Sequence, residues 1–309
     1  MKTPSIVTLT INPSLDKSAR FSGMIAEQKM RCSNPQYDSG GGGINVSKAI
    51  ARLGGTSLCI YTAGGSAGTL LQSFIEKEGI SSKVITTKSW TRENFVALDT
   101  ASNAQYRFGF PGNVLLDEEK QAIQEAVAHN PSNYLVISGS INQGLETDFY
   151  QKIAIVAKAN GTKVLVDTDG EALQKVIEKG VYLIKPNIGE LAKLLGVERL
   201  EQNEIEKACQ ALLHQGAAEI IVVSLGHAGA MLVTKTQTVR IAAPSVAKKS
   251  TVGAGDSMVG GMVWAIAQNK PWKEVLQWGV ACGTAATMNE GTQLFKKEDA
   301  ERLFHGMKA

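Results

Sequence analysis

Several features that would assign this chain at a glance are missing from it. No Gly-Lys dipeptide occurs anywhere in the 309 residues, which excludes a standard P-loop. Neither the run Gly40 to Gly43, nor GGSAG (64–68), nor GAGD (253–256) fits G-x-G-x-x-G, so a Rossmann dinucleotide fingerprint is absent and an oxidoreductase reading is disfavoured. The 4 histidines are scattered without metal-ligand spacing, which argues against zinc. Cysteines 32, 59, 209 and 282 form no C-x-x-C pair and read as free thiols of a reducing compartment. No basic block exceeds Lys248–Lys249 and the net charge is only +3, so there is no nucleic-acid footprint. The opening MKTPSIVTLTI lacks the apolar region and cleavage site of a signal peptide, and no apolar run reaches the roughly 18 residues of a membrane span. The expectation is a soluble, cytoplasmic protein whose partners are small molecules rather than membranes or nucleic acids.

What is present is material for a large core, with 43% hydrophobic residues. Short apolar, β-branched runs recur at 5–11 (SIVTLTI), 57–63 (SLCIYTA), 134–140 (YLVISGS), 163–169 (KVLVDTD), 181–187 (VYLIKPN) and 219–226 (EIIVVSLG). Helical patterns lie between many of them: NVSKAIARLG, LLQSFIEKEG, EEKQAIQEAVAHN, DFYQKIAIVAKANG and EIEKACQALLHQG. The alternation predicts an α/β protein with a largely parallel sheet covered by helices. Two stretches break the rhythm. Residues 17–37 carry few helical signals, and 95–110 (FVALDTASNAQYRFGF) read as two strands around an Ala-Ser-Asn turn. A small antiparallel sheet inserted into the α/β body accounts for both, and above the strand ends it would act as a lid that excludes water.

Five segments carry candidate chemistry. Residues 38–50 read DSGGGGINVSKAI, and four consecutive glycines are entropically costly; either a ligand approaches the main chain there or the segment is a flexible turn. In KKSTVGAGDSMVGGMVWAIA (248–267), Gly253, Ala254 and Gly255 precede an apolar-periodic run, so their N–H groups would form an anion-binding nest at the positive end of a helix dipole. Asp256 follows within the same turn. It is either a favourable charge at a helix start or a carboxylate that accepts a hydroxyl proton while the nest stabilises a transferred phosphoryl group. In LIKPNIGE (183–190), a strand ending near Pro186 and a helix starting near Asn187 put Asn187 and Glu190 on one face of the first turn. That pair suits a hydrated Mg²⁺ or, equally, a capping pair, while Lys185 either neutralises a phosphate or is solvated. VVSLGHAGAML (222–232) reads as strand, glycine turn, strand, so Ser224, Gly226 and Gly229 either bring backbone close to a nucleotide or belong to a plain hairpin. In GVACGTAATMN (279–289), Val280 and Thr284 lie one turn apart, where they either receive the flat face of an adenine or serve tight helix packing.

Taken in order, NPSLD, GGGGIN, KPNIGE, SLG..G and STVGAGDSM resemble the signature positions of the ribokinase-like, PfkB-type carbohydrate kinases over essentially the whole chain. The resemblance implies a three-layer α/β sandwich with a mostly parallel central sheet and a single kinase domain over 1–309. It also implies a β-sheet lid built from about 17–37 and 90–112 that pairs two subunits into a homodimer. ATP would be the phosphoryl donor, with Mg²⁺ and activation by K⁺. By position, Asp256 would activate the sugar hydroxyl, and Gly253, Ala254 and Gly255 would form the anion hole. Asp16, Gly41, Gly42 and Asn45 would hold sugar hydroxyls with Ser140 nearby, and Lys29, Arg92 and Arg31 or Arg107 would grip the substrate's existing phosphate. Glu190, and Asn187 through water, would serve the metal; Lys185, Ser224, Gly226, Gly229 and Thr251 would line the ATP site, with Val280 and Thr284. Ser250, Val252, Ala286, Asn289 and Gly291 would surround K⁺.

A bidentate arginine beside the lid suits a sugar phosphate and has no obvious use with an uncharged nucleoside. Within the family, QKMRC, SGGGGINV, WTREN, QYRF, VISGS, GEAL and STVGAGDSMVG are most similar to bacterial kinases of fructose 6-phosphate. Relatives that act on fructose 1-phosphate or tagatose 6-phosphate usually carry GGKG at the position of Gly40 to Gly43. The expected activity is therefore ATP-dependent conversion of fructose 6-phosphate to fructose 1,6-bisphosphate. Tagatose-6-phosphate kinase or 1-phosphofructokinase chemistry is the alternative, and a non-catalytic sugar-phosphate-binding regulator the distant one. SGSINQG (138–144) stands where related kinases carry SGSLPPG, which predicts a looser backbone in that loop. Lys248, just before STVGAGD, is a second departure, with no predicted consequence.

Overall fold

The computed structural model describes residues 5–291 and 293–307. The described elements run β1 (Ile6–Thr10), β2 (Ser14–Phe21), β3 (Gln36–Gly40), α1 (Gly42–Arg52), β4 (Leu58–Ala63), α2 (Gly65–Lys77), β5 (Ser81–Thr86), β6 (Arg92–Asp99), β7 (Gln105–Phe108), α3 (Asp117–Ala128), β8 (Tyr134–Ser138) and α4 (Phe149–Ala159). They continue with β9 (Lys163–Asp167), α5 (Gly170–Ile177), β10 (Val181–Ile184), α6 (Ile188–Leu194), α7 (Ile205–His214), β11 (Ala218–Ser224), β12 (Ala230–Thr234), β13 (Thr238–Ile241), α8 (Ala254–Ala267), α9 (Trp272–Thr287) and α10 (Lys297–Gly306).

A nine-stranded sheet in the order β13-β12-β11-β10-β9-β8-β1-β4-β5 forms the body. Every pairing from β11 to β5 is parallel, and only β12 and β13 add antiparallel edges. The β-branched runs are buried on both faces because alternate residues feed opposite layers. Ile221 and Val223 of β11 join Leu212 of α7, Phe149 of α4 and Ile123 of α3 on one face. Ile220 and Val222 join Val46 of α1, Met262 of α8, Leu276 of α9 and Leu303 of α10 on the other. The result is the expected three-layer α/β sandwich. The edge strands β5 and β13 escaped the sequence reading because an edge is partly solvated: SSKVIT alternates exposed and covered residues instead of forming an apolar run.

The second sheet, in the order β3-β2-β6-β7, corrects the expectation of an antiparallel insertion. β2–β3 and β6–β7 are antiparallel, but β2 and β6 pair in parallel over eight residues, Ser14↔Arg92 through Phe21↔Asp99. Both central strands leave the body sheet from the carboxyl end of a parallel strand region, so they rise side by side in the same direction. That register sets Asp16 opposite Asn94, a pairing no local pattern announces.

Candidate active site

The carboxyl ends of parallel strands, where ligands of open α/β sheets bind, carry most of the candidate residues. β1 leads to Asn12, β8 ends at Ser138, β9 at Asp167, β10 runs into Lys185, and β11 ends at Ser224. Two helix N-termini face them. α8 starts after Gly253, whose φ of 72° is a left-handed conformation suited to glycine, and Asp256 lies in its first turn. α1 starts after Gly41, φ 124°, and carries the buried Asn45. Gly260 lets the two helices touch, since a Cβ there would fall 2.4 Å from Ala49 Cβ. Across that contact Asn45 Nδ2 donates to Asp256 Oδ2 at 2.8 Å.

Burial raises the Asp256 pKa to about 6, helped by the charge of Asp167 and opposed by the Asn45 bond, the Lys185 ammonium and the nearby Ser138 hydroxyl. Lys185 is buried and forms an ion pair with Asp167 at 3.0 Å. Burial alone would lower its pKa, yet Asp167, Glu190 and Asp256 together hold it above the ordinary lysine value. A Cβ on Gly255 would lie 3.8 Å from Lys185 Nζ, so the ammonium stands beside the proposed nest. Lys185 is thus not a solvated lysine, and Asp167, which sequence reasoning missed, is its partner; a carboxylate ending a parallel strand was the available signal.

Asn187 and Glu190 form a closed capping box: Asn187 Oδ1 accepts from Glu190 N at 2.9 Å, and Glu190 Oε2 accepts from Asn187 N at 2.9 Å. Asn187 Nδ2 also donates to Glu190 Oε1 at 2.6 Å. Among the described residues no three His, Cys, Asp or Glu side chains converge as an all-protein metal cage. Magnesium does not need one, because it keeps several waters and takes one or two carboxylates together with substrate phosphates. Glu190 and Asp167, both close enough to act electrostatically on Lys185, fit that donor requirement.

Asp16 Oδ1 accepts from Ser14 Oγ at 2.7 Å and from Asn94 Nδ2 at 2.9 Å. Burial raises its pKa against the pull of these two bonds and of Arg92 and Lys48. Lys48, another residue missed, is buried with its pKa lowered by that burial, and its Nζ ties α1 to Ser39 O at 2.8 Å. Arg92 Nη1 donates to Phe110 O at 3.2 Å and Nη2 to Asn12 O at 3.1 Å, while Nε is buried without a protein partner. Ser140 Oγ accepts from Asn12 Nδ2 at 3.1 Å.

Several expected residues stand elsewhere. Arg107 extends from the lid to Gln105 and to Thr251 Oγ1, at 3.0 Å, rather than standing with Arg92. Lys29 and Arg31 are exposed on the β2–β3 loop. Val280 is buried among the residues of the α8–α9 packing, while Thr284, one turn on, is half-buried. Between β11 and β12 the chain makes a short 3₁₀ turn at Gly226–Ala228 rather than a plain hairpin turn, with Gly229 at φ 96°. Of the glycine run, Gly42 and Gly43 face protein: a Cβ on Gly42 would meet Ser138 C at 2.7 Å and Gly139 N at 2.8 Å, and one on Gly43 would meet Leu9 O at 2.6 Å. At 138–144 the departure from SGSLPPG brings a buried side-chain amide in place of a proline. Asn142 is buried and donates to Asn113 O and Oδ1, both at 2.8 Å, so side-chain amide bonds hold the loop. Ser250, Val252 and Gly291 do come together, with Ser250 Oγ donating to Gly291 O at 2.8 Å and Val252 N to Ser250 Oγ at 3.2 Å. Asn289 and Ala286 close the same corner through Asn289 N to Ala286 O at 3.3 Å.

Residues 6–299 match the model of the pfkB family carbohydrate kinases. The chain belongs to this family. Among its members, the ATP-dependent 6-phosphofructokinase isozyme 2 of Escherichia coli (strain K12) is 39% identical over 97% of both chains. The crystal structure of phosphofructokinase-2 from Escherichia coli in complex with fructose-6-phosphate superposes with a TM-score of 0.94 at 37% identity, covering 99% of this chain and 100% of that one. A structure of the same protein in complex with potassium gives a TM-score of 0.96 at 38% identity, covering 99% and 100%. The 1-phosphofructokinase of Bacillus subtilis (strain 168) is more distant, 31% identical over 95% of this chain and 96% of its own. Membership makes the chain a carbohydrate kinase of the ribokinase-like fold, and the strand-end cluster is where that fold exposes its chemistry.

Proposed function

We propose that the chain transfers the γ-phosphoryl group of ATP to a hydroxyl of fructose 6-phosphate, giving ADP and fructose 1,6-bisphosphate. The observation that carries this is the placement of the Asp256 carboxylate at the N-terminus of α8, beside the Gly253–Gly255 backbone and the Lys185 ammonium. The hydroxyl oxygen attacks phosphorus as its proton passes to Asp256, and the bond from the γ-phosphorus to the bridging oxygen of ADP breaks. N–H groups of the nest and the dipole of α8 offset charge on the transferred oxygens. A pKa of about 6 suits a base that must be ionised at neutral pH yet still hold a proton. Asp16 and Asn45 face the acceptor sugar, and Arg92 its existing phosphate.

Glu190, Asp167 and, through water, Asn187 would hold Mg²⁺, which would offset the charge of the ATP phosphates. The Ser250, Val252, Ala286, Asn289 and Gly291 corner supplies hydroxyl and carbonyl oxygens of the kind K⁺ takes, and Val252 immediately precedes the nest. The whole chain, 1–309, acts as one kinase unit, with the four-stranded sheet as its lid. Phe108, Phe110, Met24 and Ile25 are exposed on the lid and its loops, an apolar surface that fits pairing with a second copy.

Preference for fructose 6-phosphate over tagatose 6-phosphate or fructose 1-phosphate rests on Gly42. Any side chain there, a lysine included, meets the Ser138–Gly139 backbone inside 3 Å, so the site has no room for a lysine-bearing cradle. The test is ADP release on a panel of fructose 6-phosphate, tagatose 6-phosphate, fructose 1-phosphate and unphosphorylated sugars. The highest kcat/KM should fall on fructose 6-phosphate; a preference for any unphosphorylated sugar would overturn the reading.

A further inference from the structure

Two carbonyls orient Arg92, and one loop ties down both segments that carry them. Asn12 O lies between β1 and β2, and Phe110 O lies on the segment leaving the lid after β7. On the first segment, Asn12 Nδ2 donates to Ser140 Oγ at 3.1 Å and to Ile141 O at 3.2 Å. On the second, Asn142 Nδ2 spends both hydrogens on Asn113, at O and Oδ1, each 2.8 Å away. Gly112 lies between Phe110 and Asn113 and packs flat on the Asn12 amide, where a Cβ would fall 2.1 Å from Asn12 Oδ1. Asn113 continues the chain of bonds outward, donating to Thr87 Oγ1 at 3.2 Å.

Asn142 is only 2% exposed, and its Oδ1, like that of Asn12 and like Arg92 Nε, is buried without a protein partner. Burying an amide whose oxygen is unsatisfied is destabilising, so a residue serving packing alone would be cheaper if apolar. What the amide does achieve is geometric: it fixes the segment that presents Phe110 O to the guanidinium.

We propose that Asn142 is a positioning residue for recognition of the substrate's phosphate, acting through Asn113 and Phe110 O to aim Arg92. This rests on the assignment of Arg92 as the phosphate anchor. Arg92 alone, pulled by one carbonyl only, would sample orientations that miss the phosphate. Selectivity for phosphorylated over unphosphorylated acceptors would fall with it.

The experiment is steady-state kinetics of the wild type, Asn142→Ala, Arg92→Ala and the double variant, with fructose 6-phosphate and with fructose as acceptors. Asn142→Ala should raise the KM for fructose 6-phosphate about ten-fold, hold kcat within about three-fold, and leave the KM for ATP and kcat/KM for fructose unchanged. In the Arg92→Ala background it should cost nothing further. An equal loss in both backgrounds, or an equal loss on fructose, would overturn the proposal while leaving the Arg92 assignment standing. An Arg92→Ala variant that keeps the wild-type KM for fructose 6-phosphate would overturn both. Should Asn142→Ala not yield folded protein, Asn113→Ala leaves Asn142 in place and removes one of its two acceptors; a rise in KM of about three-fold, again absent without Arg92, is then expected.

Discussion

An aspartate in the first turn of a helix is ordinarily stabilised as an anion, yet Asp256 titrates high. Burial and the charge of Asp167 outweigh the helix N-terminus, the Asn45 bond and Lys185. The acid limb of the kcat/KM profile should therefore bend near pH 6, and a limb near pH 4 would remove Asp256 as the titrating base. Asp256→Asn should lower kcat by about 10²–10⁴-fold, measured by ADP release. The same substitution should not destabilise the fold. Folding raises this pKa from 3.8 to about 6, so the folded state holds the proton more tightly than the unfolded chain. The stability linked to that proton is complete below about pH 4 and is lost as pH rises through about 6, a cost of up to about 3 kcal/mol at neutral pH. Denaturant unfolding of wild type and Asp256→Asn should accordingly converge at pH 4 and diverge in favour of the variant at pH 7.

At the scale of elements, the site depends on how closely α1 and α8 approach. Gly260→Ala would press a methyl into Ala49, part the helices and stretch the 2.8 Å bond between Asn45 and Asp256. A loss of about 1–3 kcal/mol in stability is expected, with kcat reduced and the KM for ATP retained. The lid presents the opposite case. Arg20 of β2 forms an ion pair with Glu290, but both side chains are half exposed, 51% and 56%. Glu290→Ala should cost less than about 1 kcal/mol in thermal unfolding, since exposed pairs are worth little. The lid instead owes its integrity to β2–β6 pairing and its place to the amides of Asn12, Asn113 and Asn142.

At the scale of the molecule, the proposed lid pairing and monovalent-cation activation would be global properties. Replacing K⁺ by Na⁺ at constant ionic strength should lower kcat several-fold without unfolding the protein, because the proposed cation corner includes Val252, the residue next to Gly253; unchanged turnover would argue against the site. Sedimentation should show a dimer that a charged residue at Phe108 dissociates, since Phe108 is 46% exposed in the single chain.

What the sequence by itself determined was everything encoded locally. Alternating apolar runs specified the sandwich, GAGD specified a helix start with a carboxylate in its first turn, and NIGE specified another helix start, because strand period, helix dipole and capping act over a few residues. What it left undecided were relations between distant segments. Only the tertiary structure decided that Asp256 would meet Asn45 across 211 positions, that Lys185 would pair with Asp167, that β2 and β6 would run parallel, and that Arg107 would reach Thr251 rather than join Arg92. The physical reason is burial: a polar group removed from water must find its partner wherever the packed chain brings one, and sequence distance carries no information about that.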